Sequence, residues 1–226
     1  QVLDTVRQLG VALVEVTGGE PLAQKGCPAL LTALCDAGFE VLLETGGGAT
    51  PQYLLRTTFA CNQRCPFCFV ALGRKRPELH ELERVLDRLR PSDAVLTISG
   101  GEPTTDRRLT EILAAARARG FREIELQTNA VLLADPPIVH ELTRLGPLRF
   151  FVSLHSHVAD VYDRLTGTRG QLPAALAGLR NLLALDESRL TLNCIITRLN
   201  HAALADYVDF VDRLRTTFIA DGVTRW

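Results

Sequence analysis

From Tyr53 onward the chain alternates extended and helical segments, and that rhythm restricts the fold more than any other feature. Leu, Phe and β-branched residues concentrate at Tyr53 to Phe59, Ala94 to Ile98, Arg122 to Gln127, Arg149 to Leu154 and Leu190 to Ile196, which read as strands. Between them lie apolar stripes at helical spacing. The first carries Leu79, Leu82, Val85, Leu86 and Leu89 behind Pro77, a residue suited to a first turn. The second carries Leu109, Ile112, Leu113 and Ala116 and stops at Gly120; the third carries Ile138, Val139, Leu142 and Leu145 and stops at Gly146. A fourth uses Leu172, Leu176, Leu179 and Leu183. The last, capped by Asn200, is expected to bury Leu204, Tyr207, Val208, Val211 and Leu214. Successive strand-helix units imply a parallel sheet with right-handed crossovers. An open doubly wound sheet and a complete or partial barrel both satisfy this, and both place reactive residues at the C-terminal ends of strands. A sixth strand is expected near Thr217 to Ala220, with the chain ending at Trp226 before a further helix.

The six cysteines are unevenly spread. Cys61, Cys65 and Cys68 crowd the loop directly after the first of these strands, while Cys27, Cys35 and Cys194 stand apart as packing residues. A long chain rich in core residues and lacking an export signal is a poor candidate for a disulfide framework. Clustered thiolates in a reducing compartment suit a soft metal or an iron–sulfur cluster. Spacings of three and two residues let one loop present three thiolates to three irons, leaving a fourth iron open to a substrate or cofactor. The alternative is a closed zinc site completed by His80 or His155.

A second motif, Gly100-Gly101-Glu102-Pro103, ends the next strand, where paired glycines permit close backbone approach. It recurs as Gly18-Gly19-Glu20-Pro21, so that Val16 to Pro21 matches Ile98 to Pro103 at an offset of 82 residues. Gly38-Phe39 repeats as Gly120-Phe121 at the same offset, and Glu44-Thr45 falls opposite Gln127-Thr128 after one extra residue. Residues 1–50 therefore read as a partial β-α-β fragment, and 51–226 as the main domain.

Cys-x-x-x-Cys-x-aromatic-Cys, with Phe67 as the aromatic, followed by Gly-Gly-Glu-Pro on the next strand, resembles the radical S-adenosylmethionine enzymes over Tyr53 to about Leu214. The resemblance implies a partial (β/α)6 TIM-like barrel, truncated after about five βα units and preceded by the β-α-β fragment. It implies a 4Fe-4S cluster on Cys61, Cys65 and Cys68, with Gly100, Gly101, Glu102 and Pro103 at the methionine end of S-adenosylmethionine. Enzymes similar to the molybdenum-cofactor GTP cyclase add Thr128, Asn129, Ser153 and Asn193 as cofactor contacts, the last through a pattern that recurs as Asn193 to Asn200. His155 and His157 are expected at the rim, and Asp160, Asp163 and Arg164 as solvated charge in a loop leading to Gly167 and Gly170.

The expected activity is reductive cleavage of S-adenosylmethionine to a 5′-deoxyadenosyl radical that takes hydrogen from a cofactor-type or peptide substrate. The electron would come from an external reductant of flavodoxin or ferredoxin type. Residues Val2 to Gly48 are similar to the middle of a 7-carboxy-7-deazaguanine synthase, which makes a deazapurine-forming lyase the alternative chemistry. A non-catalytic metal-stabilised module is the alternative of a different class.

Composition adds exclusions. With 25 Lys+Arg against 26 Asp+Glu the formal charge is −1, so charge gives no footing for nucleic acid. No apolar run approaches the roughly 18 residues of a membrane span, and no basic-then-apolar leader opens the chain, so a cytoplasmic protein is expected. The chain has no Met, which fits a sequence that starts mid-domain at Gln1.

Overall fold

The structure is a computed structural model that describes residues 13–16, 29, 33, 36, 40–43, 52–91, 94–185 and 189–220. The chain divides into two units, Gln1–Pro51 and Gln52–Trp226. In the first, β1 (Leu13–Val16) pairs in parallel with β2 (Glu40–Leu43), with Leu13 opposite Glu40 and Val16 opposite Leu43. The first Gly-Gly-Glu-Pro, Cys27 and Cys35 lie outside the described residues.

The second unit contains β3 (Gln52–Thr58), α1 (Leu79–Leu86), β4 (Val95–Gly100), α2 (Leu109–Ala118) and β5 (Glu123–Thr128). There follow α3 (Pro136–Thr143), β6 (Arg149–Ser153), α4 (Ala159–Thr166), α5 (Leu172–Leu183), β7 (Arg189–Asn193) and α6 (Leu204–Ala220). The five strands lie side by side in chain order, every neighbouring pair parallel. A doubly wound sheet reverses its order at a switch point, whereas unbroken sequential order is the winding of a barrel. Among the described residues β7 does not meet β3, so the sheet is an open part-barrel.

Pairing of β4 with β5 sets Val95 opposite Glu123 and Ile98 opposite Leu126. The repeat carries Leu13 onto Val95 and, after the one extra residue, Glu40 onto Glu123. The β1·β2 pair thus has the register of β4·β5 throughout its length.

Strand alternation divides the sheet into two chemically distinct faces. Leu55, Leu96, Ile98, Ile124, Leu126, Phe150 and Val152 are buried against the helices, meeting Leu82, Ile112, Leu113, Val139, Leu142, Leu179 and Tyr207. Each such aliphatic or aromatic side chain contributes about 1.5–3 kcal/mol on burial. The opposite, concave face is polar. Its successive layers are read from the register: Arg56 opposite Ser99, Gln127 opposite Phe151, and Phe151 opposite Thr191.

Several expected boundaries shift. Thr217 to Ala220 is not a sixth strand; it is the last turn of α6. Thr, Phe and Ile cost a helix only a fraction of a kcal/mol each, and extending an established helix is easier than ending it. Val208 on α6 is 51% exposed and Val85 on α1 is 43% exposed, so neither belongs to its buried stripe. Strand β7 stops at Asn193, leaving Ile196 52% exposed beyond it. Helix α1 starts from a capping box between Glu78 and Glu81, one residue after Pro77.

The segment expected as a charged loop at Asp160 to Arg164 is helix α4, which buries Tyr162 and Leu165 and ends on the left-handed Gly167, φ 62°. Its Asp163 carboxylate accepts the Gly170 N–H at 2.9 Å, closing the turn into α5. Between β5 and α3, buried Ala130 adopts φ 59°. Thr128 Oγ1 accepts its N–H at 3.0 Å, and a β-carbon on Gly178 of α5 would stand 2.0 Å from its carbonyl oxygen. No helix among the described residues is long and apolar enough to cross a membrane.

Candidate functional site

The loop leaving β3 brings Cys61, Cys65 and Cys68, all free thiols, to one wall of a cavity of about 330 Å³. Gly101, Glu102, Thr128, Asn129, Ser153 and Asn193 line the same cavity, with His155 and the aromatic Phe67. Gly100 and Pro103 do not line it. Gly100 lies where a β-carbon would come 2.7 Å from the Thr58 carbonyl oxygen, and Pro103 starts a single 3-10 turn.

The cysteine loop is held from three sides. Gly101 N–H donates to Thr58 O and Glu102 N–H to Ala60 O, each at 2.8 Å, and a β-carbon on Gly101 would meet Ala60 O at 2.3 Å. The paired glycines therefore serve the close approach of two backbones first. On the second side Asn129 Nδ2 donates to Asn62 Oδ1 at 2.7 Å. On the third, Arg64 N–H donates to Thr166 O at 2.7 Å, Gln63 Nε2 to Tyr162 Oη at 2.9 Å, and Gln171 Nε2 to Asn62 O at 3.1 Å.

Burial raises the Cys61 thiol above its ordinary pKa. Burial, followed by repulsion from Cys61 and Cys68, pushes Cys65 up to about 11. Two such thiols ionise together only beside a positive centre. Among the described residues no three His, Cys, Asp or Glu side chains gather closely enough to hold a single metal ion. A tetrahedral zinc site draws its ligands onto one ion, whereas a cubane cluster takes one thiolate per iron and so accepts thiols set further apart. His155 is a poor fourth ligand, because its Nδ1 already accepts the Ile195 N–H at 3.2 Å. Gln63 N–H points at Cys61 Sγ at 3.3 Å, and the buried Asn62 Nδ2 has no partner among the described residues. Both are donors of the kind that sulfur and carboxylate ligands accept.

Glu102 is 1% exposed and lines the same cavity beside the cysteine loop. Its Oε1 accepts Thr104 Oγ1 at 2.6 Å, Thr128 Oγ1 at 2.7 Å and Thr104 N–H at 3.1 Å, while Oε2 accepts Asn129 N–H at 2.7 Å. Each carboxylate oxygen offers about two acceptor positions, so Oε1 is fully taken while Oε2, with one donor, keeps room for one more. Burial raises the Glu102 pKa even against these hydrogen bonds. It forms no ion pair among the described residues, and an ammonium group at the cavity face would restore the balance. That is the chemistry of the α-amino end of an amino-acid ligand.

The other expected contacts fall into two groups. Thr128 and Asn129 are committed within the chain: Thr128 to Glu102 and Ala130, Asn129 to Asn62 and Val131. Ser153 and Asn193 line the cavity without a side-chain hydrogen bond among the described residues, leaving them available to a ligand.

His155 is 4% exposed, stands edge-on to Phe67 at 5.2 Å, and is held neutral by burial, which lowers its pKa to about 4. His157 instead stacks on Phe210. Asn200 does not cap the helix that follows. Its Nδ2 donates to His155 O and Ile195 O, both at 2.8 Å, and its Oδ1 accepts the Thr197 N–H at 2.6 Å, so it ties the ends of β6 and β7 together. Cys194 is packed against the core, its thiol pushed up to about 11 by burial.

Residues that motif reading passes over include Gln63, Tyr162, Gln171 and Gly167. Only the variable positions of the cysteine motif and the left-handed Gly after α4 hint at them, because their partners lie about 100 positions away in the chain.

A family model described as the Radical SAM superfamily matches residues 55–211, more than half of the chain. A GTP 3′,8-cyclase of Stenotrophomonas maltophilia is 33% identical over 175 residues, covering 73% of this chain and 52% of that protein. The mycofactocin maturase MftC of Mycobacterium tuberculosis is 28% identical over 164 residues, covering 71% and 41%. The chain spans about half the length of such curated relatives. In three dimensions it resembles Streptococcus suis SuiB bound to S-adenosylmethionine, with TM-score 0.57 and 18% identity over 89% of this chain and 44% of that one. It also resembles anSMEcpe with bound AdoMet, with TM-score 0.59 and 16% identity over 72% and 48%.

Proposed function

The chain belongs to the radical S-adenosylmethionine superfamily, and from that premise we propose that it binds a 4Fe-4S cluster through Cys61, Cys65 and Cys68 and cleaves S-adenosylmethionine reductively. The single observation that carries the reading is the shared cavity: three free thiols line it together with Glu102, Ser153 and Asn193. When bound, the cluster and S-adenosylmethionine supply a one-electron cleavage of the C5′–sulfur bond and a 5′-deoxyadenosyl radical that takes hydrogen from the substrate.

The chain's own residues bind, orient and shield. Cys61, Cys65 and Cys68 give one thiolate to each of three irons. Glu102 accepts the ammonium of the methionine end at the free position of Oε2 and keeps Thr128 and Asn129 in place. Ser153 and Asn193 offer their unused hydroxyl and amide to the same ligand. Phe67 and neutral His155 form a dry wall at the cysteine loop, which limits water and stray hydrogen donors.

The electron comes from an external one-electron donor of flavodoxin or ferredoxin type. The substrate is a small cofactor precursor or a peptide. Relatives named as GTP 3′,8-cyclase and mycofactocin maturase, and a structural neighbour bound to a precursor peptide, favour that range.

Anaerobic reconstitution with iron and sulfide tests the reading. A broad cluster absorption, iron and sulfide near four each per chain, and 5′-deoxyadenosine released on addition of reductant and S-adenosylmethionine are expected. Zinc in place of iron and sulfide, or an undiminished absorption in Cys65→Ala, would overturn it.

A further inference from the structure

Arg56 does not itself line the cavity; it lies on the concave face of β3, in the layer that contains Ser99, Gln127 and Phe151, all three of which do. Its Nε is buried without a hydrogen bond, and Arg56 forms no ion pair among the described residues. No other concave-face charge pairs with Arg56 among the described residues. Arg149 meets Glu123 at 3.5 Å, and Glu125 accepts the Thr97 hydroxyl at 3.3 Å.

The guanidinium carbon of Arg56 sits 5.7 Å from the ring centre of Phe69, a residue that is 87% exposed yet also lines the cavity. A phenyl ring over the flat face leaves the in-plane N–H edges as the only strong donors still to be satisfied. Evolution of a stable fold gives no reason to keep a half-buried cation without a counter-charge, because an uncompensated buried charge costs stability. A fork of parallel N–H groups is the matching partner of a carboxylate or a phosphate.

We propose that Arg56 anchors an anionic group, carboxylate or phosphate, on the molecule that enters the mouth of the part-barrel. The proposal rests on the reading above only in taking this cavity as the place where a substrate sits. Phe69 holds the guanidinium plane, Ser99 and Gln127 supply neutral hydrogen-bonding groups beside it, and Phe151 gives the ligand an apolar surface. Arg56 is thus a specificity-determining residue, and the substrate class is an organic anion.

The test is calorimetric titration of the reconstituted full chain with inorganic phosphate and, separately, with succinate, ionic strength being held constant with sodium chloride. Saturable binding of at least one is expected; phosphate alone assigns a phosphate-bearing substrate, succinate alone a carboxylate. Arg56→Gln should weaken that binding by about tenfold or more, with Arg56→Lys in between because it keeps the charge and loses the fork.

Without anion, the thermal midpoint of Arg56→Gln should equal or exceed that of the parent, since a charge without a partner has been removed. Absence of saturable binding by either anion, equal affinity in Arg56→Gln, or a lowered midpoint in that variant would each overturn the proposal. Cys65→Ala separates it from the cluster reading: that variant should lose the cluster and still bind the anion.

Discussion

The α-carbon of Gly167 lies against the carbonyl of Arg64, so near that a β-carbon on Gly167 would stand 2.4 Å from that oxygen. One residue earlier, Thr166 O accepts the Arg64 N–H at 2.7 Å. The left-handed cap of α4 is therefore also the seat of the cysteine loop, and a residue about 100 positions from Cys65 governs where its thiol stands.

Gly167→Ala should lose more than half of the iron and sulfide that the parent retains after reconstitution. Gly170→Ala is the matched control, because Gly170 has a similar φ of 68° and a β-carbon there would meet nothing within 4 Å. Both substitutions carry the left-handed penalty of about 1 kcal/mol, and only the first collides with the loop. Iron and sulfide assays beside urea melts check this; equal cluster content in the two variants would remove the seat from the account.

Glu102→Gln should destabilise the chain by about 2–3 kcal/mol, since a neutral amide accepts the Thr104, Thr128 and Asn129 donors less strongly and brings a donor of its own into their midst. It should also weaken S-adenosylmethionine binding more than Thr128→Val does, because only Glu102 carries charge toward the ligand. Urea melts and equilibrium binding to the reconstituted chain measure the two effects.

Ser153→Ala and Asn193→Ala should leave stability within about 0.5 kcal/mol of the parent, as expected of side chains without partners in the chain. Each should still raise the dissociation constant for S-adenosylmethionine by about tenfold. A loss of stability without a loss of affinity would place these residues in the fold and not at the ligand.

His155 has a pKa lowered from 6.5 to about 4, and burial is the cause. Between those values the unfolded chain binds more protons, so stability is full above about pH 6.5 and falls as pH drops toward 4. The contribution lost is of the order of 3 kcal/mol. Glu102, with its raised pKa, acts in the opposite sense, so the difference between parent and His155→Gln isolates the histidine. Urea midpoints at a series of pH values should therefore converge for the two proteins as the solution is acidified.

Local chemistry carried much of the fold. Runs of Leu, Phe and β-branched residues such as Tyr53 to Phe59 mark a strand, and a 3.6-residue stripe such as Leu109, Ile112, Leu113 and Ala116 marks a helix face. Those signals are contained in a few neighbouring residues. The same holds for the three cysteines and for Gly100 to Pro103, whose spacing alone points to a ligand loop and a tight strand end. Helix α4 escaped because its stripe is short, only Tyr162 and Leu165, and its charges read as loop. Helix α6 was cut short because Thr217 to Ala220 has strand-like composition without a neighbouring strand to pair with.

By itself the sequence determined the order of strands and helices, the apolar stripes of the helices, and which loop bears the thiols, because each depends on periodicity or on residues adjacent in the chain. Only the tertiary structure decided which polar groups are already committed and which are free. Glu102 is engaged by Thr104, Thr128 and Asn129, Asn200 ties two strand ends instead of capping a helix, and Arg56 stands without a counter-charge among the described residues. The reason is physical: a hydrogen bond or ion pair is settled by distance in space, and its two partners carry no mark of each other along the chain.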